Sequence, residues 1–192
     1  QLVCLYSIAS NLEKRSVDVE EIKRLPNLIN HLLDTPGMDR IAQIFADKAH
    51  HLFIGRGVQY PIALEGALKL KEISYIHAEG YAAGELKHGP IALLDKDMPI
   101  VAIALDDALL EKMISNIKEC KAREAKIIGI GNKHSELMRL CDAYIEIPRS
   151  SNSLVNAILT TIPLQLYSYY VALKRGTDID QPRNLAKSVT VE

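Results

Sequence analysis

The 192-residue sequence has no tryptophan, only two phenylalanines and three cysteines, and almost no net charge. With 23 Lys and Arg against 24 Asp and Glu, the formal net charge is −1, so the chain has no broad electrostatic attraction to nucleic acid or anionic lipid. No stretch reaches the ~18 apolar residues of a membrane span, and the first residues lack the basic segment of a signal peptide. We therefore predict a cytoplasmic protein that binds neither nucleic acid nor membrane.

The cysteines argue against a small domain that is stabilised by disulfides or by zinc. Cys4, Cys120 and Cys141 form no Cys-x-x-Cys pair, which argues against a zinc site or a disulfide framework and favours buried, reduced thiols. The length fits one domain with an appendage. Because the first residue is not Met and the chain opens inside a predicted apolar helix, we expect a piece of a longer protein.

Short apolar segments alternate with helical segments along most of the chain. This alternation is typical of a parallel sheet covered by helices on both faces. We predict an α/β fold, a three-layer αβα sandwich with a mainly parallel sheet, extra N-terminal helices and an extended C-terminal tail. The predicted strands are 51–54, 100–105, 126–130 and 144–147, and the helices between them are about 62–74, 108–124 and 133–141.

Helix boundary signals mark the two ends of the chain. Residues 10–19 are predicted to be a linker, from which Asp18 caps a helix that ends at the Thr-Pro-Gly of residues 35–37. Ser153 is predicted to cap a long final helix that Gly176 ends.

Two loops have compositions that allow ligand binding. Residues 55–57, Gly-Arg-Gly, follow a predicted strand but lack the third glycine and the acidic partner of a dinucleotide fingerprint. They form either a ligand-binding turn or a plain strand-to-helix turn. Residues 150–153, Ser-Ser-Asn-Ser, either hold a phosphate at a helix N-terminus or only cap that helix.

Glu65, Lys69 and Glu72 share one face of a predicted helix because they are spaced four and three residues apart. A carboxylate beside an ammonium suits proton abstraction next to a sugar carbonyl: Glu72 moves the proton and Lys69 stabilises charge on oxygen. An ordinary surface salt bridge explains the same spacing. Gly66, in mid-helix, indicates close packing.

Two further residues are candidates for acid–base or nucleophilic chemistry. His88 follows a segment, 77–90, that is rich in titratable and small residues and is predicted to line a site. A structural hydrogen bond is the alternative for His88. Lys187 could attack a carbonyl if the tail folds back over a cleft; otherwise it is solvated.

Two long segments carry a family resemblance. Residues 55–79 with 84–90, and the ending 176–178 with 180–192, resemble the second sugar isomerase (SIS) subdomain and the C-terminus of the glutamine–fructose-6-phosphate aminotransferases. The resemblance covers about residues 39–192. It implies that residues 1–38 are a helix and linker from a preceding SIS subdomain, 39–175 a second SIS subdomain, and 176–192 a tail covering the active site.

The resemblance implies an enzyme that makes glucosamine 6-phosphate from fructose 6-phosphate and glutamine-derived ammonia, without a cofactor or metal. Glu72 would move a proton between C2 and C1 of the sugar, with help from Lys69. His88 would promote ring opening in the neighbouring subunit's site, which makes a homodimer obligatory. Lys187 would form a Schiff base with the open-chain sugar.

The remaining implied site residues lie in the tail. The backbone near Ala186 would contact the sugar, and Arg183 and Val189 would help to cover the site and shape the ammonia path.

The sequence also departs from the family. It contains no glutaminase domain and no Ser/Thr-rich loop for the sugar phosphate, so these partners must come from a longer chain, and we expect the 192 residues alone to be poorly active. A non-catalytic SIS module that binds a phosphosugar as a regulatory signal is the alternative. Such a module has no need for Glu72 or Lys187.

Overall fold

The computed structural model describes residues 1–14 and 16–185, which form helices on both sides of one sheet. In chain order the elements are α1 (Leu2–Leu12), α2 (Val19–Leu33), α3 (Met38–Phe45), β1 (His50–Gly55), α4 (Gln59–Ser74), β2 (His77–Ala82), β3 (Pro99–Ala104), α5 (Leu110–Lys121), β4 (Lys126–Gly131), α6 (Ser135–Leu140), β5 (Ala143–Glu146) and α7 (Ser153–Arg175). Two short 3-10 helices, Ala83–His88 and Pro90–Leu93, connect β2 to β3.

The sheet has the strand order β2-β1-β3-β4-β5, and every neighbouring pair is parallel. Its central strands are continuously apolar because helices cover both faces; all six residues of β3 are buried. This architecture confirms the predicted three-layer α/β fold.

The two faces of the sheet have separate hydrophobic cores. Side chains alternate along β1, so Phe53 packs on the face covered by α2, α3, α4 and α7, whereas Leu52 and Ile54 pack on the other. That second face is covered by α5, α6 and the 3-10 helix Ala83–His88, which contributes Leu86.

The prediction of four strands was wrong by one, since β2 forms the edge of the sheet. Residues 77–82 pair with β1 along their whole length, although their sequence has few large apolar residues. A Cβ at Gly80 would lie 2.8 Å from the backbone of Leu64, so α4 approaches β2 too closely for larger side chains. Close packing therefore explains Gly80, one of the small residues in the segment that we predicted to line a site.

The predicted helix ends are partly confirmed. Asp18 caps α2 by accepting a hydrogen bond from the Glu21 N–H, and α7 ends at Gly176, with φ of +67°. The prediction that Ser153 caps α7 was wrong. The N-cap is Asn152, one residue earlier, and its Oδ1 accepts hydrogen bonds from the Leu154 and Val155 N–H groups.

The prediction that a linker begins at residue 10 was wrong, because α1 continues to Leu12.

Within the described residues no helix is both long and apolar enough to span a membrane.

The cysteines are free, as expected, but only two of them are shielded. Burial raises the pKa of Cys120 and of Cys141 to about 12 each. Cys4 lies exposed on α1, so the expectation that it is buried was wrong.

Candidate active site

The candidate catalytic groups project from α4, whose opposite face is packed tightly into the core. Its buried stripe includes Ala63, Ala67 and Leu70. A Cβ at Gly66 would lie 2.9 Å from the Leu164 side chain and 3.0 Å from Phe53, which accounts for a glycine in mid-helix. This packing fixes the direction in which the polar face points.

On that polar face Lys69 lies between two carboxylates. Lys69 Nζ is 2.5 Å from Glu72 Oε2 and 3.8 Å from Glu65 Oε1. The Lys69 and Glu72 side chains are 31% and 27% exposed, so the pair is partly shielded yet open to a ligand. A fully exposed pair at this spacing contributes little to stability. Chemically, the arrangement offers a proton acceptor and a cation within reach of one small molecule.

The described part of the C-terminal tail is attached to the end of α4 next to this pair. Thr177 Oγ1 donates to the Ile73 carbonyl at 2.6 Å, and the Arg183 N–H donates to Tyr75 Oη at 2.8 Å. The Arg183 guanidinium also lies 4.1 Å from the centroid of the Tyr75 ring, a cation–π contact. The predicted tail residues Ala186, Lys187 and Val189 lie outside the described residues.

His88 lies far from Glu72 within one chain. It ends the 3-10 helix that follows the carboxyl end of β2, its side chain is 73% exposed, and its Nδ1 is 2.7 Å from Glu85 Oε2. Glu72 lies close to the amino end of β2, and α4 packs on the other face of the sheet. The structure thus brings Glu72, Lys69 and Arg183 to one region and does not bring His88 there.

The two candidate ligand loops meet at the opposite end of the sheet from Glu72. The backbone favours glycine at both positions of the first loop. A Cβ at Gly55 would lie 2.3 Å from the Gln59 carbonyl oxygen, and Gly57 has a φ of +55°. In the serine-rich loop, Asn152 caps α7 and Ser150 Oγ donates to Glu21. Both loops line one cavity of about 770 Å³.

Sequence reasoning missed the contribution of Tyr75 and Arg175. Tyr75 ends α4 in the left-handed region, with φ of +61°, and holds Arg183. Arg175 donates to the carbonyls of Ser74 and Ala46, each at 3.0 Å, and thereby joins the end of α7 to the end of α4. No motif marks these roles, because a non-glycine residue in a left-handed cap has no distinctive spacing. In residues 1–14 and 16–185 no group of three or more His, Cys, Asp or Glu side chains is arranged to hold a metal ion.

Curated relatives of the chain are named glutamine–fructose-6-phosphate aminotransferase [isomerizing]. The Pseudomonas putida protein is 55% identical over 91% of this chain and 29% of its own length. The Aquifex aeolicus protein is 47% identical over 100% of this chain and 33% of its own length. The chain therefore spans about a third of the curated relatives that it matches.

A solved structure and a family model support the same relationship. The C-terminal domain of glucosamine-fructose-6-phosphate aminotransferase from Francisella tularensis matches with a TM-score of 0.80 and 44% identity, covering 91% of this chain and 51% of that one. This likeness confirms the resemblance to the C-terminal part of that family. The SIS domain model matches residues 44–175, well over half of the sequence. The chain belongs to the SIS domain family.

Proposed function

We propose that this chain is the C-terminal half of the isomerase portion of a glutamine–fructose-6-phosphate aminotransferase. Such an enzyme combines fructose 6-phosphate with glutamine-derived ammonia to form glucosamine 6-phosphate. The observation that carries the proposal is the partly shielded Lys69–Glu72 pair on α4, in a chain 55% identical to a protein of that name. A module that only binds a phosphosugar does not need a proton acceptor beside an ammonium, which this pair provides at 2.5 Å.

In this proposal Glu72 moves the proton between C1 and C2 of the sugar. Lys69 Nζ lies beside Glu72 Oε2, so negative charge that develops on a sugar oxygen near the carboxylate falls close to one ammonium. Both residues lie on neighbouring turns of α4, and because this helix is packed tightly into the core, the distance between them stays fixed.

Lys187 acts as the amine that forms a Schiff base with the open-chain sugar: its nitrogen bonds to the carbonyl carbon and the carbonyl oxygen leaves as water. Support comes from the tail segment before it. Arg183 contacts Tyr75, which follows Glu72 by three residues. Lys187 follows Arg183 by only four residues in the sequence. The backbone near Ala186 contacts the sugar, and Arg183 and Val189 cover the site and shape the ammonia path.

His88 opens the sugar ring in the site of a second subunit. The separation of His88 from Glu72 within one chain supports this assignment, because a site with both groups then needs two copies. We accordingly propose a homodimer. A preceding SIS subdomain supplies the phosphate-binding loop and a glutaminase domain supplies ammonia, as parts of a full-length protein about three times as long as this chain.

The proposal is tested by incubating the purified full-length protein with fructose 6-phosphate and glutamine and following products by mass spectrometry. Glucosamine 6-phosphate should form with each turnover, accompanied by glutamate. Saturable binding of fructose 6-phosphate without any glucosamine 6-phosphate or glucose 6-phosphate would instead show a regulatory module and overturn the proposal.

A further inference from the structure

The side chain of Tyr75 attaches the C-terminal tail to the end of α4. Its Oη accepts a hydrogen bond from the Arg183 N–H at 2.8 Å, and its ring centroid lies 4.1 Å from Arg183 Cζ. Within residues 1–14 and 16–185, this is the hydrogen bond that joins residues 178–185 to the rest of the chain, because the others that they make are internal to the tail. Tyr75 is therefore the attachment point of this segment.

The backbone of Tyr75 has a conformation that favours glycine. Tyr75 ends α4 in the left-handed region, with φ of +61°, and Gly176 ends α7 in the same region, with φ of +67°. A bulky side chain is uncommon in this region, whereas glycine adopts it freely. Since glycine would form this helix end more easily, the reason for a tyrosine lies in what its side chain contacts.

The position of Tyr75 is fixed on both sides along the chain. The preceding carbonyl, that of Ser74, accepts a hydrogen bond from Arg175 at 3.0 Å. The following residue, Ile76, is buried in the core with 2% of its surface exposed. The ring of Tyr75 therefore extends from a rigid base, which holds the attached tail segment close to Glu72, three residues earlier in the sequence.

The attachment shortens the free segment that carries Lys187. Lys187 follows Arg183 by four residues, whereas it follows Thr177, which donates to the Ile73 carbonyl, by ten. Four residues extend at most about 14 Å, and ten extend at most about 36 Å. The local concentration of a tethered group falls roughly as the −3/2 power of the tether length. Loss of the contact with Tyr75 should therefore lower the local concentration of the Lys187 amine about fourfold.

We propose that Tyr75 is a positioning residue for Schiff base formation, because it holds the tail so that the Lys187 amine meets the sugar carbonyl beside Glu72. This inference rests on the proposed function and extends it to a residue outside the reacting groups. The Lys187 nitrogen bonds to the carbonyl carbon and the carbonyl oxygen leaves as water. Tyr75 transfers no proton in this step and acts only through the tail.

The test is the rate at which Lys187 is trapped by borohydride. The purified full-length protein is mixed with fructose 6-phosphate and quenched with borohydride at a series of times. The peptide that carries the sugar on Lys187 is then quantified by mass spectrometry.

Tyr75→Gly removes both contacts with Arg183 and suits the left-handed backbone. Trapping of Lys187 in this variant should be about fourfold slower than in the wild type. Its melting temperature should stay close to that of the wild type, because relief of the backbone strain offsets the lost contacts. A residue that only supports the fold would instead lower the trapping rate and the melting temperature together.

A conservative variant and a matched control accompany this measurement. Tyr75→Phe keeps the ring beside the Arg183 guanidinium and removes only the hydroxyl acceptor, so its trapping rate should lie between those of the wild type and Tyr75→Gly. It also tests the proposal if Tyr75→Gly fails to fold. Glu124→Gly relieves the same kind of backbone, with φ of +65°, at an exposed position between α5 and β4, and should trap Lys187 at the wild-type rate.

Two outcomes would overturn this inference alone. One is trapping of Lys187 at the wild-type rate in both Tyr75 variants, and the other is slower trapping that a lower melting temperature accompanies in both. If the wild type itself is not labelled at Lys187, the Schiff base assignment in the proposed function fails, and this inference fails with it. The labelling of the wild type therefore distinguishes the two failures.

Discussion

Glu72 and His88 lie on segments that pack on opposite faces of the sheet and at opposite ends of β2. At ~3.3 Å per residue, the six residues of β2 alone place about 17 Å between those ends. No side-chain rotation covers that distance, so a proton-transfer site that uses both residues must combine two chains.

This relationship predicts complementation between two inactive variants of the full-length protein. Glu72→Gln and His88→Ala homodimers should each be inactive, whereas mixed dimers restore one complete site out of two. After co-refolding in equal amounts, half of the dimers are mixed, so about a quarter of the wild-type activity should return. Glucosamine 6-phosphate formation measures it. An inactive mixture in which chromatography shows mixed dimers would contradict the assignment of Glu72 and His88 to one shared site.

Glu72→Gln alone separates chemistry from binding. The amide cannot accept the proton but keeps the size and much of the hydrogen bonding to Lys69, so kcat should fall by about 10²–10⁴-fold while KM for fructose 6-phosphate changes little. Glu111→Gln, an exposed glutamate in the first turn of α5, is the matched control and should be fully active. Turnover by Glu72→Gln close to that of Glu111→Gln would remove Glu72 from its assigned role.

The Schiff base assigned to Lys187 is tested by chemical trapping. Borohydride reduces an imine to a stable amine, so the full-length protein treated with fructose 6-phosphate should gain the mass of the sugar on the peptide that contains Lys187. Lys187→Arg should not be trapped, because a guanidinium does not form the imine. Lys69→Arg serves as the control and should still be trapped. Persistent labelling of Lys187→Arg would show that another lysine forms the bond.

The layer architecture was predictable because short apolar segments such as residues 100–105, alternating with helical segments, are typical of parallel strands that are covered on both faces. The edge strand β2 was not predictable in this way, because it lacks large apolar residues. Gly80 is small because α4 lies against it: a Cβ on Gly80 would be 2.8 Å from the backbone of Leu64. Strand prediction from a single sequence detects burial and not such close approaches.

The candidate site was predictable to a similar degree. Helical spacing placed Lys69 and Glu72 on one face, and the structure confirms that their side chains meet. The attachment of the tail through Arg183 and Tyr75 joins residues 108 positions apart, and no local pattern encodes such a contact. Long-range pairs of this kind require the fold before they can be found.

The 192-residue chain by itself should convert fructose 6-phosphate poorly or not at all. The chain carries Glu72 and Lys69 but spans only about a third of its relatives' length. In our proposal the phosphate-binding loop and the glutaminase domain lie in the rest of the full-length protein, so little binding energy is available to position the sugar on this chain alone. Isomerisation to glucose 6-phosphate, measured with a coupled dehydrogenase, should be at background level. Robust turnover at ordinary substrate concentration would contradict this.

His51 should make the stability of the chain depend on pH in the mildly acidic range. The ring is buried in the core beside Tyr167, whose Oη lies 2.8 Å from Nε2. Burial, with smaller contributions from the nearby charges of Arg175 and His50, lowers the pKa of His51 from 6.5 to about 3. Between these two values the unfolded chain binds a proton that the folded chain does not, so the folded state loses stability as the pH falls.

The expected loss is about 2 kcal/mol in the free energy of unfolding between pH 8 and pH 5, measured by urea titration. His51→Met removes the titrating group, so its stability should vary less over this range, even though Tyr167 loses a partner and the variant is less stable at pH 8. His31→Gln, an exposed position on α2, should keep the wild-type slope. An equal slope for His51→Met and the wild type would show that His51 is not the residue responsible, because no other change in the variant alters proton uptake on unfolding.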